Sequence, residues 1–172
     1  MIRVMLLARG AAYGAAAVAF GYAAVSLYWA AGGTAGLSTV GGIAQTAARS
    51  GGAAATAVIA VTVLLKTAGG LLALAMVRPW GRRLPRRALS TAGLAGSALL
   101  ILYGAAEVAG EALAETGAIR PSAPDWTALR WHLALWDPWF LVWGLLLAAA
   151  TWGYRRSARV ERFTYGAVGA GR

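Results

Sequence analysis

Three ionisable side chains inside or beside apolar stretches are the first candidates for chemistry in this sequence. Lys66 lies near the centre of the apolar segment 53–77. A lysine at mid-membrane depth costs roughly 2.5–3.5 kcal/mol on insertion scales, so it is expected to face the protein interior in a functional or a structural role. Glu107 stands near the end of the third apolar segment, 88–108. Asp137 stands at the start of the fourth, 138–154. Lys66, Glu107 and Asp137 are therefore the catalytic candidates.

The acids near the end of the third apolar segment admit two interpretations. Glu107 and Glu111 are one helical turn apart, so their carboxylates share a helix face, and such a pair can divide the roles of acid and base. The alternative is ordinary acids at a solvated helix end, which is favoured for Glu111 and Glu115 and stays open for Glu107. Asp137, followed by Pro138, matches an N-cap and a first helical residue, which does not exclude a second role.

Aromatic residues suggest a binding surface near these ionisable groups. The chain has eight tryptophans, and five of them fall between positions 126 and 143. An interface belt explains most of these, but Trp143 would lie deeper than a belt predicts. An aromatic wall above a lysine and beside carboxylates suits a flat lipophilic ligand or a cation. The residues predicted to line an outward-opening cavity, with Lys66 at its floor, are Ser26, Tyr28, Trp29, Lys66, Tyr103, Glu107, His132, Trp136, Trp139 and Trp143.

Metal and thiol chemistry have little support in the sequence. The chain has no cysteine, which excludes disulfides and thiolate ligands. His132 is the one histidine, so a multi-histidine zinc site or a haem site is not expected. The sequence therefore predicts neither a metal site nor a cofactor.

The composition places these residues in a membrane. Hydrophobic residues make up 59% of the chain and charged residues 13%, against roughly half and a quarter in soluble proteins. The apolar residues form runs of about 20, enough to cross a core of roughly 30 Å. We predict an all-α integral membrane four-helix bundle, a single domain over 1–162 with spans at about 11–31, 53–77, 88–108 and 138–154. A short amphipathic interfacial helix is predicted before the last span, and 163–172 is predicted to be a disordered cytoplasmic tail.

The arginines predict the orientation of the chain. They cluster before the first span, in the loop 78–87 and after the last span, whereas the other two loops hold most of the acids. The positive-inside rule then places both termini in the cytoplasm, at a bacterial plasma membrane. The net charge of +10 is thus interpreted as a topology signal that favours anionic lipid headgroups, and no nucleic-acid partner is predicted.

Two segments resemble a known family. Residues 26–34, with Tyr28-Trp29 and Gly32-Gly33, and residues 136–144, with Asp137-Pro138-Trp139, are similar to motifs of small bacterial four-span membrane proteins of unknown function. The resemblance covers nearly the whole chain, although Ser26 stands where the family often has a histidine. It implies the four-span fold and draws attention to the two motifs, and it implies no reaction.

Three classes of function fit these features. The first is a protein that binds a lipophilic ligand, or a membrane partner such as a second copy or another subunit, in the outward cavity. The second is a membrane-embedded enzyme of isomerase, cyclase or hydrolase type, with Glu107 as general acid or base. The third is a small proton-coupled exporter, against which the lack of a mid-membrane acid counts.

Overall fold

Most of the described chain is helical. The computed structural model describes residues 2–42, 45–46, 52–120 and 125–169, and none of these segments forms a strand. The α-helices are α1 (Ile2–Ala30), α2 (Ala53–Ala75), α3 (Arg86–Glu115), α4 (Trp126–Trp131) and α5 (Asp137–Gly169). Two 3₁₀ turns, Leu37–Thr39 and Pro79–Arg83, lie in the connections, and a π turn, His132–Trp136, joins α4 to α5.

Four helical segments are long and apolar enough to cross a membrane. They are Leu6–Ala30, Ala53–Ala75, Arg86–Glu115 and Trp126–Ser157. The all-α, four-span fold predicted from the sequence is thereby confirmed. The helices differ from the predicted spans chiefly at their ends, because α3 continues to Glu115 and the last helical segment begins at Trp126. Helix α5 also runs to Gly169, through most of the segment predicted as a disordered tail, and residues 170–172 lie outside the described residues.

Helices α1 and α5 form the centre of the bundle. Helix α1 packs against α2 and α5, and α5 packs against α3, whereas α2 and α3 have little contact with each other. The most apolar stretch of the first segment is accordingly 39% buried, and that of the last segment is 33% buried. The corresponding shares are 11% for α2 and 17% for α3. The outward faces of α2 and α3 are therefore the main apolar surfaces available to lipid.

Small residues allow the helices to approach closely. The buried face of α1 is built from alanines such as Ala12, Ala15 and Ala19, each fully buried. Between α3 and α5, a Cβ on Gly144 would lie 2.9 Å from the backbone nitrogen of Ile101. Because a backbone atom cannot move aside like a flexible side chain, this contact requires glycine. Close packing through small residues is the usual source of association between membrane helices.

The junction before the last span differs from its predicted form. Asp137 has helical dihedrals, φ −87° and ψ −35°, so it is not an N-cap, and the chain remains helical from Trp126 onwards. The N-cap is Asp125, whose Oδ1 accepts hydrogen bonds from the backbone nitrogens of Thr127 and Ala128, both at 3.1 Å. A proline inside a helix removes one backbone donor and crowds the preceding turn. The wider π turn immediately before Pro138 absorbs that disturbance without ending the helix.

Candidate functional site

The π turn brings a histidine and an aspartate together. His132 and Asp137 are five residues apart, a spacing that in a regular α-helix separates two side chains by about 140° around the axis. In the π turn the backbone N–H of Asp137 bonds to the carbonyl of His132. The two side chains then meet, with 2.9 Å between His132 Nδ1 and Asp137 Oδ2. Asp137 is 1% exposed, so this pair is held inside the bundle.

Glu111 completes a group that we call the acid–histidine cluster: Glu111, His132 and Asp137. Its Oε1 lies 3.6 Å from His132 Nδ1, which is ion-pair distance rather than a good hydrogen bond. Its other oxygen, Oε2, is buried and has no hydrogen-bond partner among the residues that the structure describes. Helix α3 supplies this carboxyl group, and the π turn supplies the histidine. The cluster therefore joins two of the spanning segments near the end of α3.

The protonation of the histidine follows from its neighbours. His132 Nε2 lies 2.8 Å from the backbone carbonyl oxygen of Val40, and because a carbonyl can only accept, Nε2 must donate a proton. His132 Nδ1 then either carries a second proton, beside two carboxylates, or accepts a proton from a neutral carboxylic acid. In both cases a proton lies between His132 Nδ1 and a neighbouring carboxyl oxygen. Such a cluster can give or take a proton without a rearrangement of the fold.

Among the described residues, the same three form a group with the spacing of metal ligands. Glu111, His132 and Asp137 each offer one ligand atom, and these atoms lie within 4.8 Å of one another. Nitrogen and oxygen donors of this kind suit a divalent transition metal. A metal-ligating imidazole is usually oriented by a hydrogen bond from its other ring nitrogen, and His132 Nε2 makes such a bond to the Val40 carbonyl. The sequence predicted no metal here, and that expectation remains untested.

An aromatic cluster lies beside the acid–histidine cluster. The ring of Tyr22 is 5.8 Å from Trp136, 5.5 Å from Trp139 and 5.1 Å from Phe140, measured between centroids. Trp29 packs edge-on against Trp136 at 5.5 Å. Trp136 also donates to Thr39 Oγ1 at 3.2 Å. The aromatic residues therefore fill the space between α1 and α5 and tie it to the first connecting loop.

Lys66 has a hydroxyl and an aromatic ring as partners. Its Nζ donates to Ser26 Oγ at 2.6 Å and lies 3.7 Å from the centroid of the Tyr22 ring. Ser26 in turn donates to the carbonyl of Tyr22 at 3.1 Å. Within the described part of the chain, no carboxylate lies within ion-pair distance of this lysine. Lys66 is thus attached to the aromatic cluster and only indirectly to the acids.

The structure brings most of the predicted site residues together and separates a few. Tyr28 is 47% exposed, and its hydroxyl accepts from the backbone nitrogen of Ala35 at 3.2 Å in the loop after α1. Trp143 packs deeper, against Gly69, where a Cβ would overlap the indole ring. Glu107 is half-buried on α3, one turn from Glu111. Contact with the histidine comes from Glu111, which the sequence had favoured as an ordinary acid.

A family model described as a protein of unknown function, DUF3995, matches residues 19–147, three quarters of the chain. The chain belongs to the DUF3995 family. The family suggested by the two motifs is therefore confirmed. No curated protein and no solved structure matches the chain significantly. The DUF3995 match includes all three residues of the acid–histidine cluster and the whole aromatic cluster.

Proposed function

We propose that this DUF3995 protein binds a lipophilic ligand that carries a hydrogen-bond donor, such as an alcohol, a phenol or an amine. One observation carries the proposal: Glu111 Oε2 is a buried carboxyl oxygen that no N–H or O–H donor of the described residues reaches, its neighbour Asp137 being another carboxyl group. A buried acceptor without a donor costs roughly 1–3 kcal/mol. A ligand O–H or N–H group at this position would recover that cost, so Glu111 is the anchor of the proposed site.

The surroundings of Glu111 favour an apolar body for the ligand. Tyr103 lies two turns before Glu111 on α3 and is 45% exposed, and its ring contacts Phe140 edge-on at 5.0 Å. In the proposal, a ligand dissolved in the bilayer approaches Glu111 past Tyr103, the exposed aromatic residue on the same helix. Apolar walls with a few convergent polar groups are typical of small-molecule sites.

Acid–base catalysis on such a ligand is the second candidate. The observation that favours it is that His132 Nδ1 faces two carboxyl groups, 2.9 Å from Asp137 Oδ2 and 3.6 Å from Glu111 Oε1. His132 Nε2 is committed to Val40, so exchange with a ligand would pass through Glu111. This assigns the role of general acid or base to Glu111, with His132 and Asp137 as its partners, rather than to Glu107.

Ligand retention tests the proposed site. The protein is purified in a mild neutral detergent, and co-purifying small molecules are extracted and identified by mass spectrometry. We expect wild type to retain a lipophile with a hydroxyl or amine at near-stoichiometric amount, and Glu111→Gln to lose most of it, because a lost buried hydrogen bond of about 1.5–3 kcal/mol weakens binding at least tenfold. Metal analysis of the same samples reports whether the cluster instead holds an ion.

Glu115→Gln is the matched control for this experiment. Glu115 is exposed and forms an ion pair with Arg130 at 3.1 Å, one helical turn from Glu111. The control removes the same charge from the same helix and should retain the ligand as wild type does. Equal ligand contents in folded wild type and Glu111→Gln, or a bound metal with no organic ligand, would contradict the proposal.

We also propose that both termini lie in the cytoplasm of a bacterial cell, with the chain in the plasma membrane. The five arginines of the segment 78–87 and the arginines after the last span support this orientation. Green fluorescent protein fused to either terminus should then fluoresce, and alkaline phosphatase fused there should be inactive. The opposite pattern at either terminus would overturn the orientation.

A further inference from the structure

Hydrogen-bond donors outnumber acceptors around Lys66. Its Nζ donates to Ser26 Oγ at 2.6 Å, and because Ser26 gives its own proton to the carbonyl of Tyr22, that oxygen can only accept. The ring of Tyr22, with its centroid 3.7 Å from Nζ, can take a second N–H. A lysine ammonium has three N–H donors. Within the described part of the chain, no oxygen accepts the third.

The indole of Trp143 is another donor without an acceptor. Trp143 is 4% exposed, and its Nε1 is buried with no hydrogen-bond partner among the described residues. Trp136 and Trp139, by contrast, each donate to an oxygen. The Trp143 ring packs against Gly69, which follows Lys66 by three residues and therefore lies on the same face of α2. Since buried polar groups are normally paired, this part of the bundle is short of acceptors.

Lys66 lies at membrane depth, on a part of α2 that the other helices cover only partly. At a rise of 1.5 Å per residue, it is about 20 Å from the start of the helix at Ala53 and about 14 Å from its end at Ala75. None of the residues 53–69 is buried, and Lys66 itself is half-buried. A molecule dissolved in the bilayer therefore has access to this part of the helix.

The fold keeps this amine without a counter-charge. Lys66 is the one charged residue of α2, and no carboxylate of the described residues lies within ion-pair distance of it. Inserting a lysine at this depth is costly, and an apolar side chain of similar length would avoid the cost. Side chains that weaken a fold in this way are typical of sites that serve a ligand. The missing partner is therefore expected to be a ligand that brings negative charge and acceptors.

We propose that Lys66 binds the carboxylate of a single-chain lipophilic acid, such as a long-chain fatty acid. A carboxylate supplies acceptors and no donor, and its charge matches that of the ammonium. The depth of Lys66 favours an acid over a phospholipid. A phospholipid headgroup keeps its charge and stays at the membrane surface, whereas a carboxylic acid can enter the hydrocarbon core in its protonated, neutral form. This site does not depend on the ligand proposed at Glu111, which must carry a donor.

Native mass spectrometry of the protein in a mild neutral detergent tests this site. The protein is titrated with palmitic acid, with its methyl ester and with phosphatidylglycerol. We expect one palmitate to bind per chain, at least about tenfold more tightly than the methyl ester, because the ester cannot accept a hydrogen bond as a charged group. Lys66→Met should weaken palmitate binding at least about tenfold and leave the affinity for the ester unchanged.

Arg83→Gln is the matched control for Lys66→Met. It also removes one positive charge, but from an exposed position in the loop 78–87. Because a distant exposed charge is screened by salt, this variant should bind palmitate within about twofold of wild type. If it weakens palmitate binding as much as folded Lys66→Met does, the attraction belongs to the net charge of the protein and the Lys66 site is overturned.

Three further outcomes contradict the proposal. Equal affinity of wild type for palmitate and its methyl ester would overturn the site without any variant. If Glu111→Gln weakens palmitate binding and Lys66→Met does not, the acid binds in its protonated form as a donor to Glu111, and the assignment to Lys66 is wrong. If phosphatidylglycerol binds as tightly as palmitate and competes with it, the ligand is a phospholipid headgroup, and the assignment to a single-chain acid is wrong.

Discussion

Replacing Asp137 with alanine should lower the free energy of unfolding by about 3–5 kcal/mol, the usual result of removing one member of a buried charged pair. Asp137 Oδ2 lies 2.9 Å from His132 Nδ1, and Asp137 is 1% exposed. Its loss leaves the imidazole with Glu111 at 3.6 Å, too far for a good hydrogen bond. The change is measured by denaturant unfolding of wild type and Asp137→Ala in the same detergent.

The matched control for Asp137→Ala is Glu115→Ala. The pair of Glu115 with Arg130 has a similar distance, 3.1 Å, but it is exposed. Exposed pairs contribute about 0–1 kcal/mol, so this variant should unfold nearly as wild type does. If the two variants lose equal stability, the acid–histidine cluster is not an anchored interior network. Asp137→Asn retains a carbonyl oxygen that can accept from Nδ1, and it should fall between wild type and Asp137→Ala.

Lys66→Met should leave the stability unchanged or raise it by up to about 2 kcal/mol, because it removes a half-buried amine whose insertion into the membrane is costly. The lysine has a hydroxyl and a ring as partners rather than a carboxylate, so no buried charge is left unpaired by its removal. Methionine fills a similar volume and suits an irregular apolar space. Denaturant unfolding in detergent measures the effect.

Ser26→Ala should lower the free energy of unfolding, unlike Lys66→Met. It removes the oxygen that accepts from Lys66 at 2.6 Å and leaves the ammonium without its hydrogen bond. A loss of about 1–3 kcal/mol is expected for an unsatisfied buried donor. If Lys66→Met lowered the free energy of unfolding more than Ser26→Ala does, the lysine itself would stabilise the bundle. That result would contradict the expectation that inserting the Lys66 amine costs more free energy than its contacts contribute.

Much of the fold could be predicted because membrane insertion constrains composition over long windows. Runs of about 20 apolar residues have few alternatives to a spanning helix, since a bilayer leaves no water to satisfy the backbone. The helix ends were less predictable. Proline after aspartate normally marks a helix start, but at Pro138 a π turn keeps the helix continuous. The π turn depends on packing between α3, α5 and the first loop, which no local sequence pattern encodes.

The candidate site was predictable in its components and not in its pairings. The depth of Lys66 and the number of tryptophans drew attention to the end of the bundle where the acid–histidine cluster and the aromatic cluster lie. The partner of Lys66 could not be predicted, because a long side chain can reach acceptors on several helices, and the structure selects Ser26. Glu111 was underrated because its position near the end of α3 suggested solvent. Only the fold shows that the π turn covers it.

The most direct test of the proposed ligand site uses two photoreactive probes of matched size. Both are lipophilic alkyl diazirines, one ending in a hydroxyl group and the other in its methyl ether. We predict that the hydroxyl probe labels peptides around Tyr103 and Trp136 at least about tenfold more than the ether probe does. Glu111→Gln should remove this difference. The reason is that a lost buried hydrogen bond to a charged group is worth about 1.5–3 kcal/mol. Equal labelling by the two probes, or a preference that persists in folded Glu111→Gln, would contradict a donor-binding site at Glu111.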